Sequence, residues 1–287
     1  MKFAPPRFRP AKVLQGSYSV LLFVLLAGSV SMSSCAFHTS GRQVLEQVNR
    51  SADGDAEFWK AVKQADVIYV GETHTDPAHH EYQLQLIQGM LARKLSFAMG
   101  WEMFDWTQQP ILDDWYHHKI SWDELSKRTD FQRNWGVYSP FYSEILKVAE
   151  QSRIRNIALN APSDLPRKVA HGENLTSAEK QMMPEGFVAS EGAFQNFVSL
   201  IGDHPGVQQS DLRRFFEAQE VWDQTMAARI LEFKGRNPKV KLVVLTGRGH
   251  LLGGYGIPFF VRQKSSLKQL ILFPRGRNDL RPGQKAV

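Results

Sequence analysis

Short apolar runs punctuate the chain at Asp66–Val70, Ser96–Gly100, Asn156–Leu159, Val240–Leu245 and Leu267–Phe273, each closed by polar or glycine-containing residues. Their length and near-continuous hydrophobicity predict strands buried on both faces, the pattern of a parallel sheet. Between them, apolar positions recur every three or four residues. Leu84, Ile87, Leu91 and Leu95 mark one amphipathic helix over 79–94, and Phe141, Ile145, Leu146 and Ala149 mark another over 140–152. The alternation predicts an α/β fold: a doubly wound parallel sheet of about five strands flanked by helices.

The connection from Ala161 to Pro238 is longer than a crossover helix needs. Helical patterns at Ala178–Met183, Ala189–Leu200 and Asp211–Phe233, the last with Ser210 as candidate N-cap, predict a smaller all-helical subdomain inserted over about 162–237. A further helix within 107–135 is expected to join it.

The first 34 residues follow a different grammar. Lys2, Arg7, Arg9 and Lys12 precede the apolar stretch Tyr18–Ala27, and small residues lead to Ser33-Ser34-Cys35. A basic start, a short apolar core and a small-residue boundary predict a signal peptide over 1–34; the core is too short to span a bilayer comfortably. Small residues directly before a cysteine resemble a lipobox, so Cys35 is the expected lipidation site. Residues 35–56 then read as a tether, 57–275 as the α/β domain and 276–287 as a basic tail. Ala36 after the cysteine, with no Asp there, points to the outer membrane of a bacterial envelope, facing the periplasm.

Charge and cysteine content narrow the classes. The formal net charge is +6, and removing the four cations before Cys35 leaves +2 on the rest. A body so close to neutral gives no footprint for nucleic-acid binding. A lone cysteine excludes an intrachain disulfide framework and a thiolate metal cluster.

Chemistry-bearing residues cluster directly after predicted strands: Gly71-Glu72-Thr73-His74 after the first, Trp101-Glu102-Met103 after the second and Gly247-Arg248-Gly249-His250 after the fourth. The carboxyl ends of parallel strands share one edge, where ligands bind. Glu72, His74, Glu102 and His250 are therefore expected to converge. Two imidazoles and two carboxylates suit a divalent metal, or a metal-free acid/base pair for hydrolysis. His79 and His80 precede a helix, where the dipole favours the neutral, ligating imidazole. Aromatic residues are plentiful nearby, among them Trp101, Phe104, Trp106, Trp135, Tyr138, Tyr142, Trp222 and Tyr255. Most are expected in the core, with the remainder lining a pocket for a large flat ligand.

Five co-linear motifs then carry a resemblance. They are Gly71-Glu-Thr-His-x4-His79-His80, Gly100-Trp-Glu-Met-Phe-Asp105, Ala158-Leu-Asn-Ala-Pro162, Ala218-Gln-x-Val-Trp-Asp-Gln-Thr-Met-Ala227 and Gly247-x-Gly-His-x4-Tyr-Gly-Ile-Pro258. Together they resemble the ChaN-like haem-binding lipoproteins, a family related to the erythromycin esterases and the TraB/Tiki proteases. The resemblance implies haem as cofactor, bound near a homodimer interface with tyrosine and histidine at the iron, and a role in haem or iron acquisition with envelope transport components as partners. Tyr255 is the first-choice iron ligand, with Tyr82 and Tyr138 as rivals and His79 or His80 as the histidine. The kinship keeps a hydrolase using Glu72, His74, Glu102 and His250 as the alternative.

Overall fold

The computed structural model describes residues 56–136, 139–201, 208–251 and 256–275, together with the backbone of strand 44–48. The expected strands are all present: β2 (Val67–Glu72), β3 (Phe97–Asp105), β4 (Asn156–Asn160), β5 (Lys241–Gly247) and β6 (Gln269–Phe273). β1 (Val44–Val48) adds a further strand within the segment read as a tether. It pairs with β6 alone, at the edge of the sheet, where a strand with Glu46 and Gln47 at its centre is tolerated. The order is β1-β6-β2-β5-β3-β4, and every pairing is parallel.

Successive residues of a strand face opposite sides, and the two hydrophobic clusters show it. Ile68 and Val70 of β2 with Val243 and Leu245 of β5 belong to one face. Val67 and Tyr69 with Leu242 and Val244 belong to the other. The first face is covered by α1 (Ala56–Gln64), α2 (Pro77–Ala92), α3 (Gln109–Tyr116), α4 (Trp122–Arg128), α5 (Phe131–Trp135) and α6 (Ser139–Gln151). The 107–135 helices therefore do not join the inserted subdomain: Leu112, Trp115, Leu125 and Phe131 bury against the first face of the sheet. α2 opens on Pro77, with Asp76 accepting a 3.0 Å bond from the Ala78 amide, a start favoured by proline's fixed φ and the side-chain cap.

The inserted segment contains α7 (Asp164–His171), α8 (Ser177–Met182), α9 (Glu191–Ile201) and α10 (Gln209–Arg236); α11 (Ile257–Lys264) follows β5. Ser210 is not the N-cap of α10. Gln208 holds the extended cap conformation and the helix begins at Gln209, leaving Ser210 inside its first turn. The 28 residues of α10 span about 42 Å. Met226, Ile230 and Phe233 in its second half pack on the sheet with α11. Val221 and Phe216 in its first half instead pack against α7 and α9. One long helix thus covers the sheet and carries the helical cap.

Candidate functional site

The carboxyl edge is built as a parallel sheet dictates. Glu72 ends β2, Glu102 lies in β3 and Gly247 ends β5. β3 runs on to Asp105 with a register shift against β4 between Trp101 and Asp105, so Glu102 sits within the strand instead of after it. His74 follows β2 in the turn to α2. His250 closes a short 3-10 turn after β5. Glu72, His74, Glu102 and His250 do converge.

They form two histidine–carboxylate pairs set side by side. In the first, His74 Nδ1 lies 2.7 Å from Glu72 Oε1, and the Tyr142 hydroxyl of α6 donates to the same oxygen. Gln83 of α2 donates its amide to Glu72 Oε2, with His80 Nδ1 3.5 Å away. In the second, His250 Nε2 lies 3.3 Å from Glu102 Oε1. His250 Nδ1 is 2.5 Å from Asp223 Oδ1 of α10. Glu102 Oε2 accepts from the Thr246 hydroxyl at 2.8 Å and the Gly247 amide at 2.6 Å. His74 Nε2 and Glu102 Oε1 are 4.0 Å apart, joining the pairs. A Cβ at position 247 would stand 3.2 Å from His74 Nε2, so glycine there admits this approach.

Each pair holds its charges. Burial, the largest influence on Glu72, pushes its carboxyl up, but His74, His80 and Tyr142 outweigh it and hold it below its ordinary value. Glu102 is likewise held far down: burial opposes ionisation, and His250, His74 and the Gly247 amide overcome it. Burial alone would neutralise His250, yet Glu102 and Asp223 raise it to about 10. His74 is raised by Glu72 and Glu102 against its own burial. Asp223 shifts upward, chiefly through burial, although His250 opposes this. One turn earlier on α10, burial and the nearby Asp223 push Glu220 up to about 8.

Glu102 and Asp223 favour the charged imidazole of His250, and His250 in turn favours the Glu102 carboxylate. The first pair ties α2 and α6 to the end of β2, and the second ties α10 to β3 and β5. Among the described residues, no group of three or more His, Cys, Asp or Glu side chains has an arrangement that can hold a metal ion. These donors satisfy one another instead.

The other candidates are placed as follows. His79 is buried, and its Nδ1 accepts a 2.8 Å bond from the Thr73 amide, pinning the β2–α2 turn. His80 is buried too; its Nε2 lies 3.0 Å from the His74 carbonyl, and its ring stacks on Phe141 at 4.8 Å. Tyr82 is half-buried on α2 against the first core, and burial raises its phenol above the ordinary value. Tyr138, Tyr255 and Cys35 lie outside the described residues.

Asp223, Tyr142, Gln83 and Thr246 complete the network without having been singled out as site residues. Asp223 carried a signal: it is a carboxylate within the Ala218–Ala227 motif already noted. Beside the network, Trp135 and Phe141 are each partly exposed. Trp135 meets His74 edge-on at 5.2 Å.

A parallel sheet with helices on both faces, a helical cap and a buried His–carboxylate network at the carboxyl edge defines the class of protein. The chain belongs to the family described as haem-binding uptake, Tiki superfamily, ChaN, whose model matches residues 58–261. Among solved structures it is similar to ChaN of Campylobacter jejuni with cofacial haem bound, at 20% identity over 76% of this chain and 84% of that one, with a TM-score of 0.60. It is more distantly similar to the erythromycin esterase EreC in its open conformation, at 13% identity over 78% and 74%, TM-score 0.46. A succinoglycan biosynthesis protein matches at 11% identity over 77% and 69%, also with a TM-score of 0.46. No curated protein matches the sequence.

Proposed function

We propose that the protein binds haem and serves in haem or iron acquisition at the bacterial cell envelope. The match to the haem-binding uptake family over residues 58–261 carries this reading. The partly exposed rings of Trp135 beside His74 and of Phe141 beside His80 support it, since a flat apolar ligand needs ring surface beside polar groups. One nitrogen of each buried ring, His79 Nδ1 and His80 Nε2, is already engaged by the β2–α2 turn, which favours tyrosine over histidine at the iron. The ligand is assigned to tyrosine, whose phenolate is a hard donor for ferric iron. Tyr255 is the first choice and Tyr138 the second. Burial opposes phenolate formation at Tyr82, which ranks last. Bound haem would supply the spectroscopic and redox properties of its iron; the chain's part is to hold and orient it.

Tyr255→Phe is expected to abolish the tyrosinate-to-iron charge-transfer absorption and weaken haem binding at least about tenfold, the order expected for losing an anionic ligand. A haem spectrum unchanged by that substitution would shift the assignment to Tyr138.

The hydrolase alternative relies on Glu72, His74, Glu102 and His250. Their convergence favours it, whereas the family match over residues 58–261 favours haem binding. Haem binding is therefore the reading adopted, with a divalent metal at these residues kept only within the alternative.

The envelope placement rests on Cys35 as lipid carrier, in the outer membrane and facing the periplasm. Cys35→Ser is expected to move the protein out of the membrane fraction; unchanged partitioning would refute the anchor. Homodimer formation around the haem and hand-over to envelope transport components complete the proposal.

A further inference from the structure

The edge of the sheet opposite the candidate site has its own chemistry. In a parallel sheet all strands begin at one edge, so the turns into β2, β3, β4, β5 and β6 lie together there. Each carries or directly follows an exposed cation. Lys63 precedes β2, Lys94 precedes β3, Arg153 precedes β4, Lys239 precedes β5, and Lys264 and Lys268 precede β6. Asp66 is the one acid in the connectors 65–66, 93–96, 152–155, 237–240 and 265–268, and its Oδ2 is engaged by the Lys268 amide at 2.8 Å; Glu150 in the last turn of α6 lies 3.9 Å from His118. Beside Lys63, a groove of about 550 Å³ is lined by Trp59, Lys60 and Arg93, whose guanidinium lies 3.7 Å over the indole.

The helix dipole accounts for part of this pattern, because the crossover helices end at this edge and cations are favoured at helix C-termini. It accounts for Lys63 and Lys264, which lie in last turns. Lys94 and Arg153 are different. Both adopt the left-handed conformation directly after a helix, with φ of 55° and 52°, a position where glycine is strongly preferred. A long cation occupies each of these strained sites where glycine would fit without strain. Lys239 and Lys268 lie in connectors, beyond any last turn.

The chain's N-terminal side arrives at the same edge. Val44, the first residue of β1, is in register with Gln269, the first of β6. Cys35 precedes Val44 by nine residues, a span of at most about 30 Å when fully extended. A lipid anchor at Cys35 therefore holds this edge within reach of the bilayer. We infer that the basic amino-terminal edge of the sheet is a membrane-docking surface that rests on anionic phospholipid headgroups. The carboxyl edge, with the His–carboxylate network, then faces the aqueous compartment. Exposed cations act on a charged surface only within about 8–10 Å at physiological salt, so the short tether is what lets the face engage. This orientation rests on the proposed anchor at Cys35.

The test uses the mature lipoprotein in vesicles of phosphatidylcholine alone and of phosphatidylcholine with phosphatidylglycerol, followed by acylation of lysines with a water-soluble reagent and mass spectrometry. Flotation with the neutral vesicles reads the lipid anchor by itself. In the anionic vesicles, labelling of Lys63, Lys94, Lys239, Lys264 and Lys268 is expected to fall about threefold or more relative to the neutral ones, as close approach of basic side chains to an anionic surface requires. Lys180, exposed on the cap helix α8, should label equally in both. The combined variant Lys63→Glu, Lys239→Glu and Lys268→Glu should keep its helical circular dichroism and lose the protection of Lys94 and Lys264. Equal labelling of the basic edge in both vesicles, or protection of Lys180 instead, would overturn the inference. If the chain fails to float with neutral vesicles the anchor reading falls; binding to anionic vesicles with the same lysines protected would still uphold the face, and failure to bind them would overturn it.

Discussion

Glu72→Ala is expected to destabilise the fold by about 3–5 kcal/mol, the usual penalty for removing one member of a buried charge pair. Glu72 is 1% exposed, and its two oxygens serve His74, Tyr142 and Gln83, with His80 close by. Alanine would leave the His74 imidazolium, the Tyr142 hydroxyl and the Gln83 amide without their shared acceptor, the last two in the buried interior. These partners come from the β2–α2 turn, α2 and α6, so the damage reaches the attachment of both helices to the sheet. Glu72→Gln keeps the volume and one acceptor, and should cost less. Chemical denaturation at pH 6 measures both, and a loss under about 1 kcal/mol for Glu72→Ala would contradict a network worth what buried pairs are usually worth.

The second large effect is on pH dependence and centres on His250. Its folded-state pKa is raised to about 10 from an ordinary 6.5 by Glu102 and Asp223 in spite of burial. A raised imidazole contributes stability fully below the unfolded value of about 6.5, and loses it as pH rises toward the folded value. The depressed carboxyls of Glu72 and Glu102 contribute above their unfolded value near 4.3, and lose it as pH falls toward their folded values. Glu220 works against them above about pH 4.3, because a carboxyl raised to about 8 loses stability as pH climbs from its unfolded value, so maximal stability is expected at about pH 4.5 to 5 with a decline through the neutral and alkaline range. His250→Ala should be destabilising by about 3–5 kcal/mol at pH 6, because it leaves the buried Asp223 without a cation and Glu102 with His74 alone at 4.0 Å. It should also flatten the alkaline limb. Denaturation midpoints from pH 4 to 10 would show this; an alkaline limb equally steep in the variant would remove His250 as its cause.

The elements that could be read from the chain were those with a strong internal signal. β2, β5 and β6 are runs of branched and aromatic residues buried on both faces, and their turns end in glycine or polar residues. The convergence of Glu72, His74, Glu102 and His250 followed from parallel topology alone, since it needs only the strand ends to share an edge. β1 escaped notice because an edge strand pairs on one side, and Glu46 and Gln47 weaken its apolar pattern. The α3–α5 helices were found in part, but their side of the sheet depends on tertiary packing of Trp115, Leu125 and Phe131, which no local period encodes.

The partners within the site were harder to read for the same reason. Asp223 reaches His250 from the middle of a long helix, and Tyr142 reaches Glu72 from another. A carboxylate that a helix buries needs a charged or donating partner, but the sequence does not say which residue supplies it. His79 and His80 looked like ligands because a helix start favours neutral imidazole. The competing demand was local: the turn after β2 leaves the Thr73 amide and the His74 carbonyl in need of partners, and these two rings supply them.

Haem binding by this chain is the central claim, and a haem titration of the purified mature protein tests it most directly. The account predicts a saturable Soret shift at a fixed stoichiometry, with growth from monomer to dimer by size and loss of the tyrosinate signature in Tyr255→Phe. Absorbance that rises without saturation, indistinguishable from haem added to a non-binding control protein, would contradict it.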